Sequence, residues 1–440
     1  MVKPPKRKNH IPLTKLVKFA RDIRTAMWFR PSVCSLLAAM VALVIAGIDQ
    51  SIPESTARLL PVIDSEAAKD LLRLVAAGML TVTTVTLSVT MLVLNLTASQ
   101  ASPRAVPELM ADPVTQNALS TFLATFVFAV AALGLFGFKA VSGTGVTLIF
   151  AVSVFLGAWA IRYLVQWMHH VAASSKLSSI IVKIYNQAEN CLGNYLSADT
   201  RESGDFPALN DGDGEIIRAG ETGYVQLVNI ETLTQSAETL GLVVKLHVSE
   251  GDFAHAATTL MTAWGAKSAD REAQARLCRS IAIGSERTPE DDPRLGIEIL
   301  AEIGCRALSP GLNDPQTAII CINYLSALLT HAGRVPKEEY PASQVKGGRV
   351  ERVVVSFEQL LIRAFRPLVR DGGGQTEVIE RILEVLAEMS RTVSIDHLDA
   401  LSNEADHAAE MACSKLPLAA DKESITQAAK AVSATIRARR

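Results

Sequence analysis

With 440 residues, 49% of them hydrophobic, the chain is too long for one ordinary domain, and its mean hydropathy of +0.24 indicates a membrane part joined to a soluble part. Its six cysteines are scattered without the spacing of a metal site or a disulfide framework, so we expect no metal ion and no cofactor. The formal net charge of -2 is unevenly distributed, because the residues before Pro31 include nine Lys or Arg and one acid, Asp22.

The basic arm at residues 1–30 predicts contact with a negatively charged surface. Nucleic acid and the anionic inner leaflet of a membrane both fit, but Trp28 and Phe29 stand at its end, directly before an apolar run, which favours lipid. A cleavable signal peptide is an alternative, although a basic region of about 30 residues is long for one. We therefore expect a lipid bilayer as partner and no nucleic acid.

Four uncharged apolar stretches predict four transmembrane helices. They cover residues 31–48, 74–103, 113–138 and 140–161. Each stretch is near or above the roughly 20 residues that a helix needs to cross a hydrocarbon core of about 30 Å. No charged residue lies inside any of them, so a proton relay or a coupled ion pump has little support.

The charges around the first span predict the topology. The loop at residues 49–73 has five acids and three bases, whereas the arm before the span is basic. The positive-inside rule therefore places the N-terminus in the cytoplasm, and four crossings place everything after Arg162 there too. Trp159, Tyr163 and Trp167 recur every fourth residue where the fourth helix leaves the bilayer, which predicts an interfacial aromatic stripe.

The second span is unusually polar for a membrane helix. At 100° per residue its polar side chains fall on two opposite sides, with Thr83, Thr86, Thr90 and Thr97 on one, and Thr81, Thr84, Ser88, Asn95 and Ser99 on the other. Helix packing on both sides explains two stripes, and so does a water-filled path along one of them in an oligomer. The residues predicted to line such a path are Thr83, Thr86, Thr90 and Asn95. Periodicity does not say which stripe is wet.

The predicted fold class is an α-helical membrane domain of four helices, followed by a cytoplasmic α+β region. The domains are the arm at 1–30, the transmembrane domain at 31–170, a connecting helix and linker at 171–213, a small β-rich module at 214–268, a helical domain at 269–371 and C-terminal helices at 372–440. In the β-rich module, strand-like runs at 224–228, 242–248 and 258–262 accompany a helix at 231–240 and a tight turn at 250–252.

A helix-loop-helix corner is the most distinctive part of the helical domain. Asp292 and Asp314 each precede a proline and predict helix starts, with a break at residues 309–311 between the two helices. A helix N-terminus beside basic side chains predicts a possible site for an anion or a protein partner. Its residues are Arg287, Arg306, Ser309, Asn313 and Asp314. Capping together with an Arg–carboxylate lock to Glu286 or Glu302 explains the same pattern.

The chain lacks the short motifs that carry catalysis. It has no Walker loop, no GxGxxG, no HExxH and no GxSxG, and no credible Ser/His/Asp set. We therefore expect no enzyme.

Several strings resemble one bacterial family of predicted membrane proteins, domain of unknown function 2254. They are Ser102-Pro103-Arg104 with Asp112-Pro113 and Gln116, the pair of strings at 223–226 and 251–253, the segment at 286–288 and, most specifically, residues 306–318. The resemblance covers roughly residues 21–370. It implies a four-helix membrane region with a cytoplasmic domain in a bacterium, with no established activity and no assigned catalytic residues.

Two functions are consistent with these features. The first is an oligomeric channel or permeation protein of the bacterial inner membrane, in which the second spans surround a path that the cytoplasmic region gates. The alternative is a non-transporting sensor or scaffold, anchored by its four helices, whose cytoplasmic domain binds an anion or a protein. We expect a homo-oligomer with both termini in the cytoplasm, and its ligand or ion is open.

Overall fold

The computed structural model describes most of the chain outside its loops. The described residues are 28–49, 63–100, 112–141, 143–174, 177–197, 214–265, 271–337 and 349–440. The basic arm, the Ser-Pro-Arg string at 102–104 and the side chains of Thr97 and Ser99 lie outside what the structure describes. The chain divides into two compact units, Phe19–Ile180 and Ile181–Arg440, which are treated separately below.

The first unit contains four helices that are long and apolar enough to cross a membrane. They are α1 (Phe29–Asp49), α2 (Ser65–Gln100), α3 (Pro113–Gly137) and α4 (Gly143–Ser174). The most enclosed of the four is α3, which packs against the other three. Its start is the predicted one, because Asp112 caps it by accepting a hydrogen bond from the backbone N–H of Thr115 at 3.0 Å, and Pro113 occupies its first turn.

Two of these helices are longer than the apolar stretches that predicted them. The helix α2 begins nine residues before Leu74, in turns held by the i,i+3 ion pairs Lys69–Glu66 and Arg73–Asp70. The helix α4 continues to Ser174, beyond the predicted end of the fourth span at residue 161. An uncharged stretch marks the part that fits a bilayer, whereas the helix itself continues wherever polar residues also favour it.

The interior of this unit has two apolar clusters along the helix axes. One joins α1, α2, α3 and α4 around Leu72, Phe128 and Ile149. The other joins α2, α3 and α4 around Phe122 and Trp167. Trp167 is 4% exposed, so the predicted interfacial stripe of three aromatics is wrong at this position. Residues four apart on a helix are rotated by about 40° from one another, and two such steps turn Trp167 away from the face of Trp159.

The second unit combines small sheets with helices. Its helices before the corner are α5 (Leu177–Ser197), α6 (Ile230–Leu240), α7 (Arg271–Cys278) and α8 (Leu295–Ala307). Its strands are β1 (Glu215–Arg218), β2 (Gly223–Val228), β3 (Leu242–Leu246), β4 (Phe253–Ala254), β5 (Thr259–Gly265), β6 (Ile281–Gly284) and β7 (Val350–Glu351). One sheet has the order β1-β5-β3-β7 and the other β4-β2-β6, and within the described residues only the β3–β7 pair is parallel.

The sheets draw strands from beyond the range 214–268 predicted for the β-rich module. Strand β6 pairs with β2, and β7 pairs with β3. Each of these added strands is short, four residues for β6 and two for β7, so neither produces an alternating pattern that the sequence could reveal. The buried side chains of both sheets and of α6 and α7 form one core around Val225, Leu233 and Val244.

The remaining helices complete this unit. They are α9 (Pro315–Gly333), α10 (Phe357–Gly372), α11 (Thr376–Ser390), α12 (Leu398–Lys415) and α13 (Ala419–Arg439). Ser356 opens α10 with a capping box in which Gln359 is the reciprocal partner. The C-terminal helices predicted at 372–440 correspond to α11, α12 and α13.

Candidate functional site

The two polar stripes of α2 lie on opposite sides of the helix in the structure, as the periodicity predicts. On the inner side, Thr86 is fully buried and Thr83 and Thr90 are half-buried. The hydroxyl of Thr83 donates to the carbonyl of Met79 at 2.7 Å, and that of Thr90 donates to the carbonyl of Thr86 at 2.7 Å. The Thr86 hydroxyl has no hydrogen-bond partner among the described residues.

The outer side of α2 is exposed in a single copy of the chain. Thr81, Thr84 and Ser88 are exposed, and each hydroxyl donates to a carbonyl of its own helix four residues earlier, at 3.0, 3.0 and 2.9 Å. Asn95 is exposed on the same side, and nothing in the described part of the chain forms a hydrogen bond with its carboxamide. A hydroxyl can form its hydrogen bond with a carbonyl of its own helix, whereas a carboxamide has two N–H donors and one oxygen acceptor that need partners.

The structure therefore divides the four residues predicted to line a path. Thr83, Thr86 and Thr90 face the interior of their own bundle, and Asn95 faces outward with the other stripe. In a channel formed between copies of the chain, the lining side chains must come from the outer stripe. The inner stripe packs beside Met79, Val82 and Val89, which contact the cluster around Phe122 and Trp167.

A dense network of ion pairs surrounds Asp292 in the second unit. Asp292 is 1% exposed, and its Oδ2 accepts from Nε and Nη2 of Arg287 at 2.7 and 2.6 Å. Arg287 also donates to Glu298, and Arg363 donates to the other oxygen of Glu298 at 2.5 Å. An Arg–carboxylate lock, which the sequence predicts at this corner, is formed by Arg287 with Asp292 and Glu298.

Arg294 ties the same network to the tight turn after β3. Its backbone N–H donates to Oδ1 of Asp292 at 3.0 Å, and its Nη1 donates to Oδ1 of Asp252 at 3.0 Å. A further guanidinium N–H donates to the carbonyl of Glu250. Asp292 is thus an ion-pair partner and does not cap a helix, which corrects the predicted helix start at Asp292-Pro293. The helix α8 begins at Leu295 without a side-chain cap.

Buried titratable groups lie next to this network. Burial raises the pKa of Glu250, whose Oε1 accepts from the backbone N–H of Val228 at 3.2 Å. Burial and the nearby charge of Asp292 raise the pKa of Cys191 to about 12, which keeps it a thiol. Burial also raises the pKa of Tyr195, whose hydroxyl oxygen accepts from the backbone N–H of Val355 at 2.8 Å. A thiol that stays protonated is a poor nucleophile, so these three groups include no activated nucleophile.

The corner after α8 is held by local hydrogen bonds. Asp314 caps α9, because its Oδ1 accepts from the backbone N–H of Thr317 at 3.1 Å, and the predicted helix start at Asp314-Pro315 is confirmed. Ser309 donates to the carbonyl of Arg306 at 2.6 Å. Asn313 has a positive φ of 46° and accepts from Nε2 of Gln375 at 3.0 Å.

The predicted anion site is not brought together as one cluster. Arg287 binds Glu298 in the first turn of α8, whereas Arg306 lies in its last turn, beside the corner. Eight residues of helix separate those two turns, which corresponds to about 12 Å. Among the described residues, no group of three or more His, Cys, Asp or Glu side chains is arranged to hold a metal ion.

Sequence reasoning missed the Asp292 network, although one indication was present. The sequence predicts the tight turn at residues 250–252, and the glycine in it is the indication. Gly251 has a φ of 88°, and its lack of a side chain leaves room for the carboxylate of Asp292, about forty residues later. A pattern in one sequence does not reveal such a distant partner.

Comparison with known proteins gives one family and uncharacterised relatives. A family model described as "Predicted membrane protein (DUF2254)" matches residues 24–388. Similar relatives include the uncharacterized proteins Mb1321c of Mycobacterium bovis and Rv1290c of Mycobacterium tuberculosis, each 29% identical over 270 residues, or 59% of this chain and 51% of the relative. The chain thus spans about half the length of the curated relatives it matches. No solved structure matches.

Proposed function

This chain belongs to the DUF2254 family of predicted membrane proteins, and we propose that it forms an oligomeric channel or permeation protein whose path is lined by the outer stripe of α2. One observation carries the proposal. Thr81, Thr84, Ser88 and Asn95 are exposed together on one side of a helix that is apolar enough to cross a membrane.

Lipid is an unfavourable environment for this stripe. In hydrocarbon, an amide without a hydrogen-bond partner costs several kcal/mol, so the exposed carboxamide of Asn95 favours contact with water or with a polar group of another copy. Three hydroxyls on the same side extend this polar surface over about 21 Å of helix, from Thr81 to Asn95. A path between copies would give all four side chains a polar environment.

The spacing of the stripe also suits contact with a second copy of α2. Ala77 and Thr81, and again Thr84 and Ser88, are pairs of small residues four positions apart on the outer side. Such pairs allow helices in a membrane to approach closely. The proposed oligomer therefore uses the outer side both for packing and for the wall of the path.

The wall has dipoles but no charge, since no Asp, Glu, Lys or Arg occurs between Leu74 and Gln100. Such a wall suits passive movement of small polar solutes or ions, without coupling to a proton.

We place the protein in a bacterial inner membrane, with both termini and residues 181–440 in the cytoplasm as the gating region. The basic arm and the acidic loop after α1 support this orientation.

The test is solute flux through the full chain reconstituted in liposomes, under voltage, osmotic and tension gradients. Thr84→Val and Asn95→Leu remove polar groups from the outer stripe, so conductance should change with little loss of folding. Thr90→Val makes the same chemical change on the inner stripe and should leave conductance unchanged, because the Thr90 hydroxyl faces the bundle and bonds to its own helix. Equal effects from both sides, or no flux under any gradient, would end the channel proposal.

A second candidate is a non-transporting scaffold or sensor anchored by the four helices. It is favoured by the hydroxyls of Thr81, Thr84 and Ser88, which already bond to carbonyls of their own helix and so need no water. In this case the outer stripe serves only for packing between copies. Oligomers that dissociate in a Thr84→Leu/Ser88→Leu variant, together with absent flux in the wild type, would support the scaffold.

A further inference from the structure

Arg162 is an isolated charge on the outward surface of α4. Between Gly143 and Ala172 it is the one Asp, Glu, Lys or Arg in the sequence. Its side chain is exposed, and its neighbours Ile161 and Val165 are 61% and 63% exposed. The charge therefore sits beside exposed apolar side chains, while the exposed polar residues Gln166 and His169 follow it on the same face, one and two turns later.

Two aromatic rings hold the guanidinium in place. Its central carbon lies 5.2 Å from the centroid of the Trp159 ring and 5.9 Å from that of Tyr163, within range of a cation–π interaction. Trp159 in turn stacks on Phe155, with centroids 5.8 Å apart and the ring planes 20° from parallel. This aromatic shelf consists of Phe155, Trp159 and Tyr163, and Trp167 is not part of it.

No carboxylate of the described residues forms an ion pair with Arg162. The aromatic rings attract its positive charge, yet none of its five N–H groups donates to an oxygen acceptor of the described residues. A guanidinium beside an apolar surface needs such acceptors, because leaving a charge without a partner there is unfavourable.

The depth of Arg162 in the bilayer indicates what supplies the acceptors. Nineteen residues of helix separate it from Gly143, which corresponds to about 28 Å, close to the roughly 30 Å thickness of the hydrocarbon core. The side chain of an arginine extends toward the interface from such a position. Its guanidinium thus reaches the level of the lipid phosphates.

We propose that Arg162 and the shelf of Phe155, Trp159 and Tyr163 form a binding site for the headgroup phosphate of an anionic phospholipid. The planar guanidinium matches two phosphate oxygens in a bidentate hydrogen bond, and the rings restrict its orientation. Ile161 and Val165 supply the apolar surface for the acyl chains. This site does not depend on whether the protein transports anything.

The test uses the full chain purified in detergent, to which phosphatidylglycerol or phosphatidylcholine is added. Native mass spectrometry measures how much of each lipid stays bound, and thermal unfolding measures the stabilisation that each provides. The wild type should retain phosphatidylglycerol over phosphatidylcholine, because the choline cation offsets the charge of the phosphate in the second lipid. Arg162→Gln should reduce this preference about five-fold, because it removes the positive charge. Arg162→Lys should keep part of the preference, because a lysine retains the charge but cannot form the bidentate hydrogen bond of a guanidinium.

Arg73→Gln provides the matched control. Arg73 is an exposed arginine of the same unit, paired with Asp70 at 2.9 Å, and its loss removes the same charge without touching the shelf. Trp159→Leu tests the shelf and should also weaken the preference. An unchanged elution volume of each variant in size-exclusion chromatography shows that the bundle is intact. An Arg162→Gln variant with the wild-type preference, or an equal loss in Arg73→Gln, would overturn the proposal.

Discussion

Gly251 and Asp292 are in such close contact that a Cβ atom on Gly251 would overlap the carboxylate of Asp292. The glycine also has a φ of 88°, in the left-handed region that side chains disfavour. The tight turn after β3 and the segment before α8 therefore fit together only with a glycine at this position.

Gly251→Ala should destabilise the protein by about 2–4 kcal/mol, since the methyl group adds backbone strain and displaces a buried carboxylate from its arginines. A marked fall in the unfolding temperature of the detergent-purified chain is the expected result. Gly220→Ala is the control, because a Cβ there meets no atom within 4 Å. Equal stability of both variants would show that the turn tolerates a side chain.

Arg287→Met should cost about 3–5 kcal/mol, because it leaves the carboxylate of Asp292, which is 1% exposed, without its main counter-charge. The double variant Arg287→Met/Asp292→Asn removes both charges and should recover part of that loss. Thermal unfolding of the single and double variants forms a double-mutant cycle. The pairing would be contradicted if the double variant lost as much unfolding free energy as the two single variants lose together, or more.

Asp314→Ala should cost on the order of 1 kcal/mol, since the free backbone N–H of Thr317 loses its acceptor. Asp314→Asn keeps a side-chain oxygen in place and should remain close to the wild type. Unfolding temperatures of the two variants check this. If alanine and asparagine behave alike, the capping bond contributes nothing.

Glu250→Gln should alter how stability depends on pH. Burial raises the folded-state pKa of Glu250 above its ordinary value of 4.5, so the wild type is most favoured below pH 4.5 and loses that stability as the pH rises through the raised pKa. Glutamine cannot ionise, so the stability of the variant relative to the wild type should increase as the pH rises. If the unfolding temperatures of Glu250→Gln and the wild type change with pH in the same way, ionisation of Glu250 does not destabilise the folded state.

The topology prediction can be checked with residues that the structure places at the surface. Phe138, between α3 and α4, is 86% exposed, and Glu221 is exposed in the second unit. In a cysteine-free background, Phe138→Cys should react with an impermeant thiol reagent on intact cells, and Glu221→Cys only after the cells are opened. The reverse labelling would invert the orientation.

Features that depend on neighbouring residues were predictable from the sequence. The four apolar helices follow from uncharged stretches, and the caps at Asp112 and Asp314 follow from an acid directly before a proline. Asp292-Pro293 has the same pattern, yet Asp292 binds Arg287 and Arg294 instead of capping a helix. Local chemistry is the same in all three cases, and only the approach of distant segments distinguishes them.

The candidate site was predictable in part for the same reason. Periodicity separated the two stripes of α2 but could not say which one the other helices of the bundle cover. It also placed Trp167 with Trp159, although Trp167 is buried. Which side of a helix is covered depends on the positions of its neighbours, and a single sequence does not contain them.

The parallel pairing of β3 with β7 bears on how the chain is made. Val244 pairs with Val350, about a hundred positions later, so the edge of β3 stays open until that part has left the ribosome. At a synthesis rate of about 5–20 residues per second, the delay is on the order of 5–20 s. During this interval the edge of β3 exposes unpaired backbone groups, which are a template for pairing with a strand of another chain.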